Sequence, residues 1–232
     1  MKTIISYGGG VNSSAMLIEI VNRSMQDEIN AILFSDTGAE KPETYQHAAF
    51  MSEYCRKNGL PDITLVSANG TLEAECLERK QLPSLAYGFR SCSDKYKKRP
   101  IRRWLRAQNW NECEMLIGID AGESHRTRES DVQWIHNRYP LIEWDIDRSN
   151  CLRIIADAAL PIPIKSACFF CPASKRKEVE WLRDNHPALY QRALKMEGNA
   201  ELTTIKGLGR RWSWKDMENE PETIELPCDC MD

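Results

Sequence analysis

Two groups of residues in this chain have the types and spacing to do chemistry. The first is Tyr7-Gly8-Gly9-Gly10-Val11-Asn12-Ser13-Ser14. It follows the apolar stretch Thr3-Ile4-Ile5-Ser6 and precedes Met16, Leu17, Ile20 and Val21, which lie at helical spacing. A strand-to-helix turn aims backbone N–H groups at one point from the positive end of the helix, a geometry that binds phosphate. Glycines let the main chain approach a ligand closely and take positive φ. Ser13 and Ser14 add hydroxyl donors, and Asn12 or Ser13 can cap the helix. The turn has neither the Lys of a Walker loop nor the G-x-G-x-x-G spacing of a dinucleotide loop. The alternative reading is an ordinary tight turn. The second group is Cys168-Phe169-Phe170-Cys171. Two thiolates at this spacing can share one metal or cluster.

The elements that must position these residues alternate. Ala31 to Ser35 and Ile63 to Val66 read as strands, as does Met115 to Ile119. Pro42 opens a helix that runs to about Cys55, and Lys95 to Gln108 reads as another. This order predicts an α/β protein with a parallel twisted sheet flanked by helices, and right-handed crossovers. After about Pro163 the pattern changes to two short helices, Ser174 to Asp184 and Pro187 to Glu197, a basic aromatic stretch and an acidic tail. The expected division is a nucleotide-binding domain over 1–165 and a small helical C-terminal region over 166–232.

The first turn resembles the pyrophosphate loop (PP-loop) of the ATP pyrophosphatase superfamily, Ser-Gly-Gly-x-Asp-Ser, with Gly8 in place of its first Ser and Asn12 in place of its Asp. Phe34-Ser35-Asp36-Thr37-Gly38, with Glu40, Pro42 and Glu43-Thr44, is similar to the "DTG-x-E-x-PET" stretch of the phosphoadenosine phosphosulfate (PAPS) reductase family. Gly118-Ile119-Asp120-Ala121-Gly122-Glu123-Ser124-His125-Arg126 is similar to its "G-x-R-x-x-E-S-x-x-R" loop, and Tyr139-Pro140-Leu141-Ile142-Glu143-Trp144 to its "PL-x-x-W" element.

The resemblance implies the Rossmann-like adenine nucleotide alpha hydrolase fold and a site for ATP, or PAPS, with Mg²⁺. Tyr7, Gly8, Gly9, Gly10, Asn12, Ser13 and Ser14 would take the phosphates. Asp36, Thr37 and Gly118 would lie beside the nucleotide. Glu123 would orient ribose or metal, Arg126 would pair with phosphate or sulfate, and Lys95 would assist. The C-terminal Glu-Cys-Gly-x-His motif of a PAPS reductase proper is missing, since Cys228-Asp229-Cys230 lacks its Gly and His. Arg90-Ser91-Cys92-Ser93-Asp94-Lys95 together with the Cys-x-x-Cys resembles instead the "R-x-C-[ST]-x-x-x-K" feature of the DNA phosphorothioation sulfurtransferase branch, and more loosely the tRNA thiolation enzymes. That likeness implies that Cys92, Cys168 and Cys171 hold a [4Fe–4S] cluster, with Cys228 or Cys230 as a fourth ligand. Structural zinc or thiols without metal are the other readings. The function implied is adenylation of an acceptor by ATP followed by sulfur transfer. A thiol-dependent PAPS reductase using Cys228 or Cys230 and a non-catalytic nucleotide-binding module are the alternatives.

Charge is unevenly distributed within a net of −3. Arg90 to Arg106 carries eight Lys/Arg against Asp94 alone, and Asp216 to Asp232 carries seven acids and no base. The first stretch, with Arg210-Arg211-Trp212-Ser213-Trp214-Lys215, makes a candidate surface for DNA or tRNA. A solvated face is the plain alternative. No apolar run reaches the ~20 residues of a membrane helix and Met1 leads into strand-like sequence, so the expectation is a cytoplasmic protein with no membrane partner. A homodimer is left open. Cys55, Cys76, Cys113 and Cys151 read as filler, and His47, His125, His136 and His186 show no ligand spacing.

Overall fold

The computed structural model describes residues 1–83 and 91–218. Arg90, Cys228 and Cys230 lie outside the described residues. The chain divides into two units. The first comprises Met1–Leu72 and Arg90–Cys168, the second Glu73–Phe89 and Phe169–Asp232. The second unit thus takes in a stretch that the sequence pattern leaves inside the nucleotide-binding domain.

Five parallel strands form the centre of the first unit. They are β1 (Lys2–Tyr7), β2 (Ile29–Asp36), β3 (Ile63–Ser67), β4 (Cys113–Ile117) and β5 (Ile135–Arg138), in the order β3-β2-β1-β4-β5. The chain moves outward from β1 through β2 to β3, then crosses to β4 on the other side of β1. Strand order therefore reverses between β1 and β4, and open α/β sheets bind ligands beyond the strand carboxyl ends at such a point. Alternate residues of the strands feed two cores. The described helices in chain order are α1 (Val11–Asn22), α2 (Pro42–Lys57), α3 (Leu72–Glu78), α4 (Ser91–Ser93), α5 (Arg99–Ala107), α6 (Pro140–Glu143), α7 (Arg148–Asp157), α8 (Arg176–Asn185) and α9 (Pro187–Asn199). Ile5, Tyr7, Ile32, Phe34 and Leu116 pack on one face with α1, α2 and α7. Ile4, Leu33, Met115 and Ile135 pack on the other with Ile101 and Leu105 of α5 (Arg99–Ala107). Burial on both faces accounts for the unbroken apolar strands. α1 is buried along most of its length because it lies between the sheet and α7.

The expected helix over 95–108 starts earlier and is not uniform. A turn, α4 (Ser91–Ser93), leads into a π-helical segment, Asp94–Lys98, and then α5. A π turn leaves carbonyls without their usual partners. Here Ser35 Oγ donates to the carbonyls of Tyr96 and Lys97 at 3.0 and 3.1 Å.

In the second unit α8 (Arg176–Asn185) packs on α9 (Pro187–Asn199), with Pro187 at the first position of α9. Phe170, Val179, Leu182, Tyr190, Ala193 and Trp214 are among its buried residues. Trp214 is therefore part of a core rather than a stacking surface for bases. Its loop is organised by Glu197, a buried carboxylate. One oxygen accepts from Leu208 N (2.6 Å) and Trp214 N (3.0 Å), the other from Ser213 Oγ (2.5 Å) and Lys215 N (3.1 Å). Trp212 lies under the Arg176 guanidinium at 4.9 Å, and Arg210 and Arg211 are exposed.

Candidate functional site

The glycine turn lies at the reversal between β1 and β4. Gly10 is the N-cap of α1. Val11, Asn12 and Ser13 follow it, and amides in the first turn of a helix have no intrahelical partner. Gly9 has φ +71°, and a Cβ there would stand 3.0 Å from Thr44 Cγ2 and 3.2 Å from Phe34 Cε2. Gly8 and Gly10 carry no such demand, so Gly9 is the glycine of the run that the bend requires. Ser13 Oγ donates to Gly10 O at 3.0 Å and Ser166 Oγ to Gly8 O at 2.6 Å, which tie the bend on both sides.

Beneath the turn Ser14 is fully buried. Its Oγ lies 2.9 Å from His47 Nε2 and 3.1 Å from Tyr7 OH. Burial lowers the pKa of His47 and raises that of Tyr7, so both rings are neutral at pH 7. Ser14 and Tyr7 are thus supports that fix the start of α1, whereas Gly8 to Ser13 present the main chain. Gly118 sits directly behind. A Cβ at Gly118 would come within 2.9 Å of both Ser13 Cα and Ser13 N. What Gly118 does in this fold is let the end of β4 meet the first turn of α1 backbone to backbone.

The loop after β2 forms the neighbouring wall. Asp36 Oδ1 accepts from Gly38 N (2.7 Å) and Tyr45 OH (2.6 Å), which holds the turn in shape. Thr37 Oγ1 is 3.2 Å from Cys168 Sγ, and Glu40 makes an isolated antiparallel bridge with Cys168. Glu40 has its side chain fully buried, with Oε1 3.3 Å from Lys97 Nζ and Oε2 without a hydrogen-bond partner among the described residues. A buried carboxylate of this kind is tolerated because it is paired.

The sequence-predicted charged residues do not all gather here. Lys95 lines a depression of about 500 Å³ with Asn69, Arg99, Arg102, Arg103 and Arg106, and no carboxylate lines it. Two of these cations are neutralised nearby, Arg99 by Asp94 and Arg102 by Asp131. Since α5 packs on the sheet face opposite α1, this basic depression is on the other side of the sheet from the helix that the glycine turn begins. Arg126 and Glu123 form an ion pair at 2.5 Å, roughly half exposed, and Arg126 lines a cavity of about 430 Å³ floored by Ser6, Ile117 and Ile119. Sequence reasoning misses Lys97 and Glu40 as a pair, although both are within its reach. Counting the "R-x-C-[ST]-x-x-x-K" pattern from Arg90 puts its Lys at Lys97, not Lys95. Glu40 is the Glu of the "DTG-x-E" stretch.

Among the described residues no three His, Cys, Asp or Glu side chains gather as a metal-holding group. Cys92 and Cys168 belong to the first unit and Cys171 to the second, and Cys168 Sγ stands beside Thr37 Oγ1. Burial pushes Cys55 and Cys151 up to about 12 and Cys113 to about 11, which keeps them protonated thiols, as filler should be. No helix among the described residues is long and apolar enough to cross a membrane.

A five-stranded parallel sheet with a glycine bend and a helix N-terminus at its topological reversal defines a Rossmann-like α/β protein. Residues 2–151 match the phosphoadenosine phosphosulfate reductase domain, and the chain belongs to that family, within the PP-loop superfamily. An uncharacterized protein of Methanocaldococcus jannaschii, MJ0973, is 25% identical over 95% of this chain. The chain spans about half, 53%, of the length of that relative. Among solved structures, the U34-tRNA thiolase NcsA from Methanococcus maripaludis, with its [4Fe–4S] cluster, is 17% identical, with a TM-score of 0.51, covering 100% of this chain and 76% of that one. The PAPS reductase from Candida auris in a phosphate complex is 16% identical with a TM-score of 0.49, covering 70% and 75%. The likeness to NcsA is one of fold.

Proposed function

We propose that this chain is an ATP-dependent adenylating enzyme that prepares an acceptor for sulfur transfer. The observation that carries the reading is the bend at Gly8 to Ser13, wedged by Gly118 at the strand reversal, where the first-turn amides of α1 converge. In the reaction an acceptor oxygen attacks the α-phosphorus of ATP. The bond from that phosphorus to the bridging oxygen breaks, and pyrophosphate leaves with the charge that the helix amides stabilise. Hydrosulfide then attacks the activated atom, a base carbon in tRNA or a backbone phosphorus in DNA; the bond from that atom to the adenylated oxygen breaks, AMP departs with that oxygen, and the sulfur stays on the acceptor as a thiol or thiolate. Lys97, held by Glu40 at the neighbouring wall, supplies a cation on the nucleotide side. No step is assigned to a cluster, to zinc or to Cys228 and Cys230. Family membership supports the nucleotide. The fold shared with a tRNA thiolase, and the short Cys-x-x-Cys that resembles the DNA phosphorothioation branch, favour sulfur transfer over thiol-dependent PAPS reduction.

The acceptor proposed is a nucleic acid, tRNA or DNA, met by the basic depression around Lys95, Arg103 and Arg106. Pyrophosphate release from ATP should rise when tRNA or duplex DNA is added, and that stimulation should weaken with salt because phosphate contacts release counterions. Replacing Arg103 and Arg106 together should lower the slope of log affinity against log salt by about two, near one for each arginine–phosphate pair removed. Pyrophosphate release that neither nucleic acid raises would exclude these acceptors. Stimulation that is indifferent to salt would exclude the basic depression as their surface.

A further inference from the structure

Two departures from the family's motifs meet in space. Asn12 stands where the pyrophosphate loop has Asp, and Asp120 stands where the "G-x-R-x-x-E-S" loop has Arg. Asn12 Nδ2 donates to Asp120 Oδ2 at 2.8 Å, and Arg148 Nη1, from the first position of α7, donates to Asn12 Oδ1 at 2.7 Å. Asp120 is 3% exposed. It is held there by two contacts of its own segment. Gly118 rests on the Ser13 backbone, and Ala121 N donates to Ile146 O at 2.9 Å.

A side-chain amide has one acceptor end and one end with two donors. The two neighbours of Asn12 therefore fix which way it faces and occupy one of its two N–H groups. The family's pattern carries one carboxylate and one guanidinium at positions 12 and 120. This chain also carries one of each at the same place, but on Asp120 and Arg148, with a neutral amide between them. We infer that Asn12, Asp120 and Arg148 form a relay in which Asp120 carries the negative charge of the phosphate turn, and position 12 becomes a neutral donor toward a nucleotide phosphate. Asp120 is then a positioning residue acting through Asn12. The inference rests on the reading of the turn as a nucleotide site.

The relay predicts the outcome of a double-substitution cycle. Asn12→Asp alone sets a half-buried carboxylate against the buried Asp120, where both cannot ionise without cost. ATP affinity, titrated with magnesium present, should fall about tenfold or more. In Asn12→Asp/Asp120→Asn the donor and acceptor exchange sides and the carboxylate at 12 keeps Arg148, so affinity should rise about threefold or more above that of Asn12→Asp yet stay below the natural chain, because a carboxylate at 12 has no N–H for the phosphate. Thermal melting of the natural chain, Asn12→Asp, Asp120→Asn and the double variant without nucleotide reads the relay independently of binding, with Asn12→Asp lowering the midpoint and the second substitution restoring it. Losses that add in both readouts, or an Asn12→Asp protein that binds ATP like the natural chain, would overturn the relay. If the natural chain binds no ATP, the functional reading fails, and the melting cycle still decides the relay: non-additive recovery supports it and additive losses overturn it.

Discussion

Gly118→Ala should abolish nucleotide binding although residue 118 is not the bend itself. The added methyl would sit 2.9 Å from Ser13 Cα and Ser13 N, with Asn12 C only 3.1 Å away. All three contacts are main chain, so no rotamer change relieves them. Either α1 must shift along its axis or β4 must leave its register with β1, in which Ile5 faces Leu116 and Ser6 faces Ile117. A shift of a few tenths of an ångström at Ser13 moves the very amides that the phosphate must meet. Overpacking of this kind costs about 1–3 kcal/mol of stability. With a domain of this size, that lowers the melting midpoint by roughly 2–12 °C, at about 2–4 °C per kcal/mol. The loss of ATP affinity should exceed the loss of stability, because binding needs the amides in place whereas folding tolerates a small displacement. Calorimetric titration beside a melting curve checks both. A Gly118→Ala protein that melts lower but binds ATP unchanged would show that the bend is not where phosphate sits.

The second large effect is expected in the other unit. Glu197→Ala should unfold the loop from Gly207 to Lys215. The carboxylate accepts from three backbone N–H groups and the Ser213 hydroxyl, and Gly207 lies so close that its Cβ position would be 2.3 Å from Glu197 Oε2. Alanine leaves buried donors without acceptors, each costing about 1–3 kcal/mol. A total of about 3–5 kcal/mol is expected once the loop relaxes toward water. Trp214 would lose its fully buried position, so tryptophan emission should shift to the red, and trypsin should cut at Arg210 and Arg211. Glu197→Gln, which keeps one acceptor but turns an N–H toward a backbone N–H, should be intermediate. Unchanged emission and unchanged proteolysis in Glu197→Ala would mean that the loop is held by packing alone.

These two cases also mark how far the sequence can be read. The strands on both sides of the glycine turn are legible because each is a short, continuous apolar run, and Pro42, Gly59 and Pro187 mark helix ends by fixed backbone chemistry. β5, Ile-His-Asn-Arg, is not legible. It is an edge strand with mostly polar residues and no alternation to betray it. α7 escapes notice because its burial rests mainly on Cys151 and Ile155. At the site, Gly9 and Gly118 are both visible as residues, but only packing separates the glycine that must bend from the one that must be approached. The charged residues are least legible. Lys95 and Lys97 are indistinguishable by type, and it is the π turn at 94–98 and the buried Glu40 that bring Lys97, not Lys95, toward the β2 loop. Trp214 beside two arginines suggests a stacking surface, and its burial follows from Glu197, 17 residues earlier.

If main-chain amides at Gly8 to Ser13 grip the phosphates of an adenine nucleotide, they must respond to it. Backbone amide chemical shifts recorded while ATP is titrated test this most directly. Saturable shifts are expected at Gly9, Gly10, Val11, Asn12 and Ser13, and none of them in Gly118→Ala. Amides there that stay still while those lining the cavity at Arg126 or the depression at Arg103 move would contradict it.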